Sequence, residues 1–187
     1  TAGTMVVNKL RRALPTEDWT ITVVDRDDIH DYQPGYLFMA FGTNSPEQVR
    51  REKHPFIGSG IELMLAEVDR VDPEARVVHL GDGRELPYDQ LVIATGTTPR
   101  PDQTPGTLGP QWHREVGEFY TYEGALARRD QMAAFSGGRL VVHITEMPIK
   151  CPVAPLEFAF LADAFFAEQG MRDKVEMVYA TPLDGAF

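Results

Sequence analysis

The sequence predicts an α/β chain assembled from βαβ-type units, and three observations carry that reading. Short β-branched or apolar runs, WTITVVD at 19–25, LVIA at 91–94 and RLVVHIT at 139–145, have the length and composition of buried strands. Helical stretches cover 1–14, 123–135 and 156–169, before, between and after them. The last third reads strand–loop–helix–strand, one complete βαβ unit.

The elements follow in order. Residues 1–14 form a helix with Met5, Val6, Val7 and Leu10 apolar on one side, stopped by Pro15. The strand over 19–25 ends on Asp25, and Arg26, Asp27 and Asp28 continue as a charged loop. The aromatic segment 30–42 contains the turn pair Pro34-Gly35. Residues 60–72 are strand-like and end on Asp72-Pro73. A second strand covers 76–80, with Gly81-Asp82-Gly83 as a hairpin turn after it. The fully apolar run 91–94 suits a sheet interior. Residues 96–109, dense in Pro, Thr and Gly, read as a connection between domains, which sets one domain over 1–105 and a second over 106–187. In the second, Gly137-Gly138 ends the helix before the strand at 139–145, an irregular loop fills 146–155, Gly170 stops the helix over 156–169, and the next strand runs over 174–180.

Composition narrows the function classes. With 18 Lys and Arg against 28 Asp and Glu, the formal charge is −10, which disfavours nucleic acid as a partner because phosphate contacts need cations. A single cysteine, Cys151, forms no intrachain disulfide. No secretory leader pattern and no apolar run long enough for a bilayer are present, so the expected location is cytoplasmic or peripheral on a membrane face. The five histidines, His30, His54, His79, His113 and His143, lack ligand spacing, and no metal is expected. His143, alternating within a strand, reads as a core or interface residue. Phe158, Phe160, Phe165 and Phe166 read as helix core.

Two patterns carry chemistry. A dinucleotide site needs a glycine turn leading into a helix N-terminus that faces the pyrophosphate, and an acid at the end of the next strand for the ribose hydroxyls. Thr1-Ala2-Gly3 ahead of a helix fits the last part of G-x-G-x-x-G. Gly3 would then be the glycine that allows close helix–strand packing, and Asp25 the ribose acid. A glycine at a helix start and an acid after a strand are also common in chains that bind no nucleotide. The longer pattern is VDRVDPEARVVHLGDGRELPYDQLVIATGTTPR over 68–100: strand, turn, strand, D-G hairpin, then L-x-Y-D-x-L-V-I-A-T-G. There Thr95-Gly96 leaves room for backbone to approach a nucleotide.

That second pattern resembles the FAD-dependent oxidoreductases with two dinucleotide folds. The resemblance implies two Rossmann-like dinucleotide-binding folds, an FAD domain and a degenerate NAD-like domain, both incomplete here. A first strand would precede Thr1, and a C-terminal half supplying quinone pocket and membrane contact would follow Phe187. It also implies FAD contact near the backbone of Glu67 and Val68, and at Gly3, Asp25, Thr95 and Gly96. In NADH-using relatives the second unit carries its own glycine-rich turn. Here the corresponding loop is EMPIKCPVAP, with no glycine and three prolines, Pro148, Pro152 and Pro155.

Within that loop, K-C-P-x-A-P at 150–155 resembles the redox-cysteine motif of sulfide:quinone oxidoreductases and of sulfide-dehydrogenating flavocytochromes. Lys150 and the helix start after Cys151 both favour a nucleophilic sulfur. Taken alone, a single cysteine is more often a small buried hydrophobe. Glu157 could take a proton near Cys151, although an acid in a first helical turn has a sufficient electrostatic reason. The resemblance implies that hydrosulfide exchanges with a disulfide or polysulfide bridge at Cys151. Two electrons then reach FAD and a quinone.

The chain departs from the family pattern in three places. The partner cysteine is not within 1–187. The position of a further family cysteine falls near Tyr120 in FYTYEGA. Gly35 in YQPGYLF stands where flavocytochromes attach FAD, so the expected FAD is non-covalent. Two other readings stay open: an FAD-dependent NADH:quinone reductase, and a flavoprotein electron-transfer subunit of a flavocytochrome.

Overall fold

The computed structural model describes residues 1–185. The chain folds as two compact units, one formed by Thr1–Asp31 with Arg50–Gly96, the other by Tyr32–Val49 with the chain from Thr97 onward.

The first unit opens on helix α1 (Ala2–Ala13) and strand β1 (Thr22–Asp25). The amide of Asn8 ties the helix to the unit: its Nδ2 donates to the Phe56 carbonyl at 2.7 Å and its Oδ1 accepts from Gly58 N at 2.9 Å. Strand β1 pairs in parallel with β4 (Glu62–Leu65), so Asp25 stands opposite Leu65 at the carboxyl end of both strands. The segment read as one strand over 60–72 is two. It breaks at Ala66-Glu67, and its second part, β5 (Val68–Asp72), leads a three-stranded antiparallel meander with β6 (Val77–Leu80) and β7 (Glu85–Pro87). Both turns of that meander sit where the sequence places them. Asp72 Oδ1 accepts from Ala75 N at 2.8 Å, and Gly83 takes φ +88° in the hairpin. A short antiparallel pair, β2 (Ile29–Asp31) with β3 (Arg50–Glu52), completes the unit.

One strand expectation fails. Residues 91–94 are not in a strand, and Val92 and Ile93 are 58% and 71% exposed. A strand exists through the neighbour that satisfies its backbone groups. The parallel sheet here holds β1 and β4 alone, so nothing among the described residues pairs with this run.

The second unit holds the predicted βαβ unit. Strand β8 (Gly138–His143) and β9 (Val175–Ala180) run parallel with unbroken register from Gly138 opposite Val175 to His143 opposite Ala180. Helix α5 (Ala154–Glu168) connects them. Its core joins Val142 and Val175 of the strands to Phe158, Ala162 and Phe166 of α5, Met132 of α4 (Tyr122–Ala134) and Leu37 of α2 (Gly35–Met39). Phe160, expected in this core, is 68% exposed because it lies on the opposite face of α5. His143 is exposed as well, since alternation along β8 sends its neighbours Val142 and Ile144 inward instead. A second small cluster packs Tyr36 and Met39 of α2 on Val49 of α3 (Pro46–Val49) and Ala125 of α4. Among the described residues, no helix is long and apolar enough to cross a membrane.

Candidate functional site

The residues that the sequence assigns to a dinucleotide all lie in the first unit. A Cβ at Gly3 would lie 3.4 Å from the Cβ of Ala94, so two positions far apart in sequence meet, although the run that holds Ala94 is not a strand. Among the described residues, no side chain caps the N-terminus of α1. Thr1 makes no side-chain cap, the first turn holds no acid, and the first intrahelical bond runs from Met5 N to Thr1 O. Free N–H groups at the positive end of a twelve-residue helix suit a pyrophosphate. Gly96 has φ +77° with nothing within 4 Å of a notional Cβ, so glycine is needed there for its backbone conformation. Thr95 beside it is exposed.

Past the end of β4, the Glu67 carbonyl accepts from Gly81 N at 2.9 Å, which fixes the crossing from the parallel pair into the meander. That oxygen keeps a second lone pair for a further donor. The Val68 side chain is 45% exposed at the start of β5.

Asp25 has a partner that the sequence did not signal. Lys53 Nζ lies 2.5 Å from Asp25 Oδ2 and donates to the Asp27 carbonyl at 2.7 Å. Lys53 is buried, only 5% exposed, whereas the Asp25 side chain is 41% exposed. In the charged run RREKH, a lysine reads as a solvated side chain, and nothing in the pattern sets it apart. A carboxylate offers about four acceptor directions, so Asp25 keeps acceptor capacity after engaging Lys53. Helix N–H groups, an open carboxylate and a left-handed glycine each have the chemistry that a dinucleotide cofactor needs.

His30 lies beside α1. Its ring stacks on Phe56 with centroids 4.4 Å apart, and Thr4 Oγ1 is 3.5 Å from Nδ1. Burial, aided by the charge of Lys53, pushes its pKa down.

Cys151 belongs to the second unit. It is exposed and adopts φ +50°, a left-handed conformation that costs a non-glycine residue about 1 kcal/mol or more. Its carbonyl accepts from Ala154 N at 3.0 Å, which closes the turn into α5. Helix α5 then begins without a side-chain cap, with Pro155 in its first turn and Glu157 as its first acid. The Lys150 ammonium donates to Gln33 Oε1 at 2.6 Å, so it is held by a neutral amide.

The structure also brings Tyr120 to this loop, its hydroxyl 3.5 Å from the Cys151 carbonyl oxygen. The stretch where the resemblance puts a further family cysteine, near Tyr120, thus brings a phenol to the Cys151 loop. Burial pushes the Tyr120 pKa up to about 12, helped by the negative charge that Cys151, Tyr179 and Glu118 can carry. Glu118 fixes the backbone here. Its carboxylate accepts from the amides of Tyr120 and Thr121 and, at 2.6 Å, from Thr121 Oγ1. Thr121 in turn caps α4 by accepting from Gly124 N at 3.0 Å.

Among the described residues, no group of His, Cys, Asp and Glu is arranged to hold a metal ion.

The chain is similar to known proteins. Residues 1–142 match the family model described as pyridine nucleotide-disulphide oxidoreductase. The mitochondrial sulfide:quinone oxidoreductase of Mus musculus is 22% identical over 185 residues, 99% of this chain and 41% of the relative. The sulfide-quinone reductase of Aquifex aeolicus is 26% identical over 181 residues, covering 96% and 40%. The X-ray structure of the sulfide:quinone oxidoreductase from that bacterium superposes with a TM-score of 0.75 at 25% identity, over 95% of this chain and 40% of that one. The chain therefore spans about two fifths of the length of these relatives.

Proposed function

The chain belongs to the pyridine nucleotide-disulphide oxidoreductase family, and on that premise we propose that its protein oxidises sulfide or another reduced sulfur species at Cys151 and passes the electrons through non-covalent FAD to a quinone. The observation that carries this reading is the loop over 146–155. Where a nicotinamide-binding relative needs glycines to wrap a pyrophosphate, this loop has none, and it presents an exposed cysteine at the entrance to α5. Both sulfide-oxidising relatives align across nearly the whole chain, which supports the same reading.

In the first unit, the N-terminus of α1 would face the pyrophosphate and Asp25 would accept from the adenosine ribose hydroxyls. When bound, FAD supplies a two-electron acceptor. Gly35 supports non-covalent binding: it is buried, and a Cβ there would lie 2.8 Å from Val49 Cγ2, which leaves no room for an attaching thiol.

In the second unit, the sulfur of Cys151 takes part in exchange. Hydrosulfide attacks a disulfide or polysulfide bridge that includes Cys151. The old S–S bond breaks as the new one forms, and the displaced sulfur leaves as a thiolate. The other sulfur of that bridge comes from a polysulfide or from a second cysteine, because Cys151 is the only one in this sequence. A quinone is a membrane-phase acceptor, so turnover implies peripheral contact with a bilayer.

The test is anaerobic addition of sulfide to flavin-loaded full-length protein, followed by visible absorbance, in wild type and Cys151→Ser. Bleaching in wild type and its loss in the variant is the expected result. Bleaching untouched by the substitution would remove Cys151 from the reaction. Rapid bleaching by NADH with none by sulfide would overturn the reading in favour of a nicotinamide-dependent reductase.

A further inference from the structure

We infer that Lys53 is a positioning residue for the cofactor's adenosine ribose: it acts through Asp25, holding one carboxylate oxygen so that the other is presented to the vicinal hydroxyls. This inference rests on the reading of Asp25 as the ribose acid. The geometry is specific. Lys53 is the only buried charged residue among the described residues, and its ammonium sits 2.5 Å from Asp25 Oδ2. A second donation, to the Asp27 carbonyl at 2.7 Å, fixes the ammonium from the other side, and Asp27 Oδ1 stands 3.8 Å away. The backbone beneath is fixed as well. Lys53 N donates to the Asp28 carbonyl at 2.8 Å and lies 3.1 Å from Asp28 Oδ1. The segment from β1 through Asp28 therefore forms a clamp around one cation.

A free aspartate at the end of a strand samples several rotamers, and each hydroxyl bond must overcome the entropy of ordering it. A buried ammonium on one oxygen removes that freedom in advance. It also counters the repulsion between the Asp25 and Asp27 carboxylates, so Asp25 can point toward a ligand without a competing charge behind it. The partly exposed Asp25 side chain over a buried Lys53 is the arrangement this role needs: the cation faces the protein and the acceptor faces the ligand.

The test compares binding of FAD with binding of its 2′-deoxyadenosine analogue, read by flavin fluorescence quenching on apoprotein. Wild type should prefer FAD by about tenfold or more, the scale of a hydroxyl bonded to a charged acceptor. Lys53→Met should weaken FAD several-fold, leave the analogue much less affected and so compress the preference. Lys53→Gln, which keeps a donor for the Asp27 carbonyl but drops the charge, should do the same and serves if the methionine variant does not fold. Lys53→Arg should restore most of the preference. Equal losses for FAD and analogue, with the preference intact, would show a merely structural lysine and overturn the inference. A wild type that binds FAD with no preference over the analogue, or with a preference that survives Asp25→Asn, would overturn the inference while leaving FAD binding standing. A wild type that takes up no flavin would overturn the cofactor reading itself.

Discussion

The hydroxyl of Tyr120 lies 3.5 Å from the carbonyl oxygen of Cys151, joining the entrance of α4 to the entrance of α5. The bond is long and contributes little to stability, about 0.5–1 kcal/mol by the usual scale for a neutral pair. Its environment is more telling. Burial raises the Tyr120 pKa to about 12 from an ordinary 10, so the folded protein holds this proton more tightly than the unfolded chain does. Stability from this group is therefore intact below about pH 10 and lost as pH rises toward 12. An alkaline absorbance titration should show one late-ionising phenol that disappears in Tyr120→Phe, and the variant should lose less stability than wild type between those pH values. A wild type whose tyrosines all ionise near 10 would show that Tyr120 is not buried against the loop.

A different titration reports on the clamp around Lys53. Asp28 Oδ2 lies 2.6 Å from His54 Nδ1, and its Oδ1 accepts from His54 N at 2.8 Å. The side-chain bond is the main reason His54 is held above its ordinary 6.5 and a main reason Asp28 is held below its ordinary 3.8. The signs set a window. The histidine's contribution is present below its ordinary value and fades as pH rises through the raised one. The aspartate's is present above its ordinary value and fades as pH falls through the lowered one. Histidine NMR should find His54 titrating late in wild type and near the ordinary value in Asp28→Asn. A wild-type His54 that titrates normally would mean the bond does not persist in solution.

These two sites mark where the sequence could be read and where it could not. The βαβ unit of the second half was legible because β-branched strands, a glycine stop and an apolar helix each announce themselves over a few residues, and β8, α5 and β9 form where the pattern places them. The place of Cys151 just ahead of a helix was legible because Pro155 and the apolar run after it mark a helix start, and α5 begins at Ala154. The run 91–94 misled because apolar composition speaks of burial, while strand formation depends on a neighbour that composition cannot report. Lys53 was invisible for a related reason: its meaning lies in Asp25 and Asp27, which reach it only through the pairing of β2 with β3. The helix α2 was missed because Pro34-Gly35 reads as a turn, yet here Pro34 precedes a helix whose glycine is chosen for space.

Gly35 does not have a left-handed backbone; what it lacks is room. A Cβ would lie 2.8 Å from Val49 Cγ2 and 3.1 Å from Tyr32 Cδ1. Val49 is almost fully buried beneath Tyr36 and Met39, so it cannot swing away without opening that cluster. Gly35→Ala should therefore cost about 1–3 kcal/mol, as overpacking does, read as a lower urea midpoint at unchanged slope. Gly42→Ala is the control: with φ +73° and nothing within 4 Å, its cost is conformational only, about 1 kcal/mol. Gly35→Cys should be destabilised like the alanine variant, and flavin loaded onto either protein should be released on acid precipitation. A Gly35→Cys protein as stable as wild type that retained flavin after precipitation would show that α2 yields at this position, and would place covalent attachment within reach of this fold.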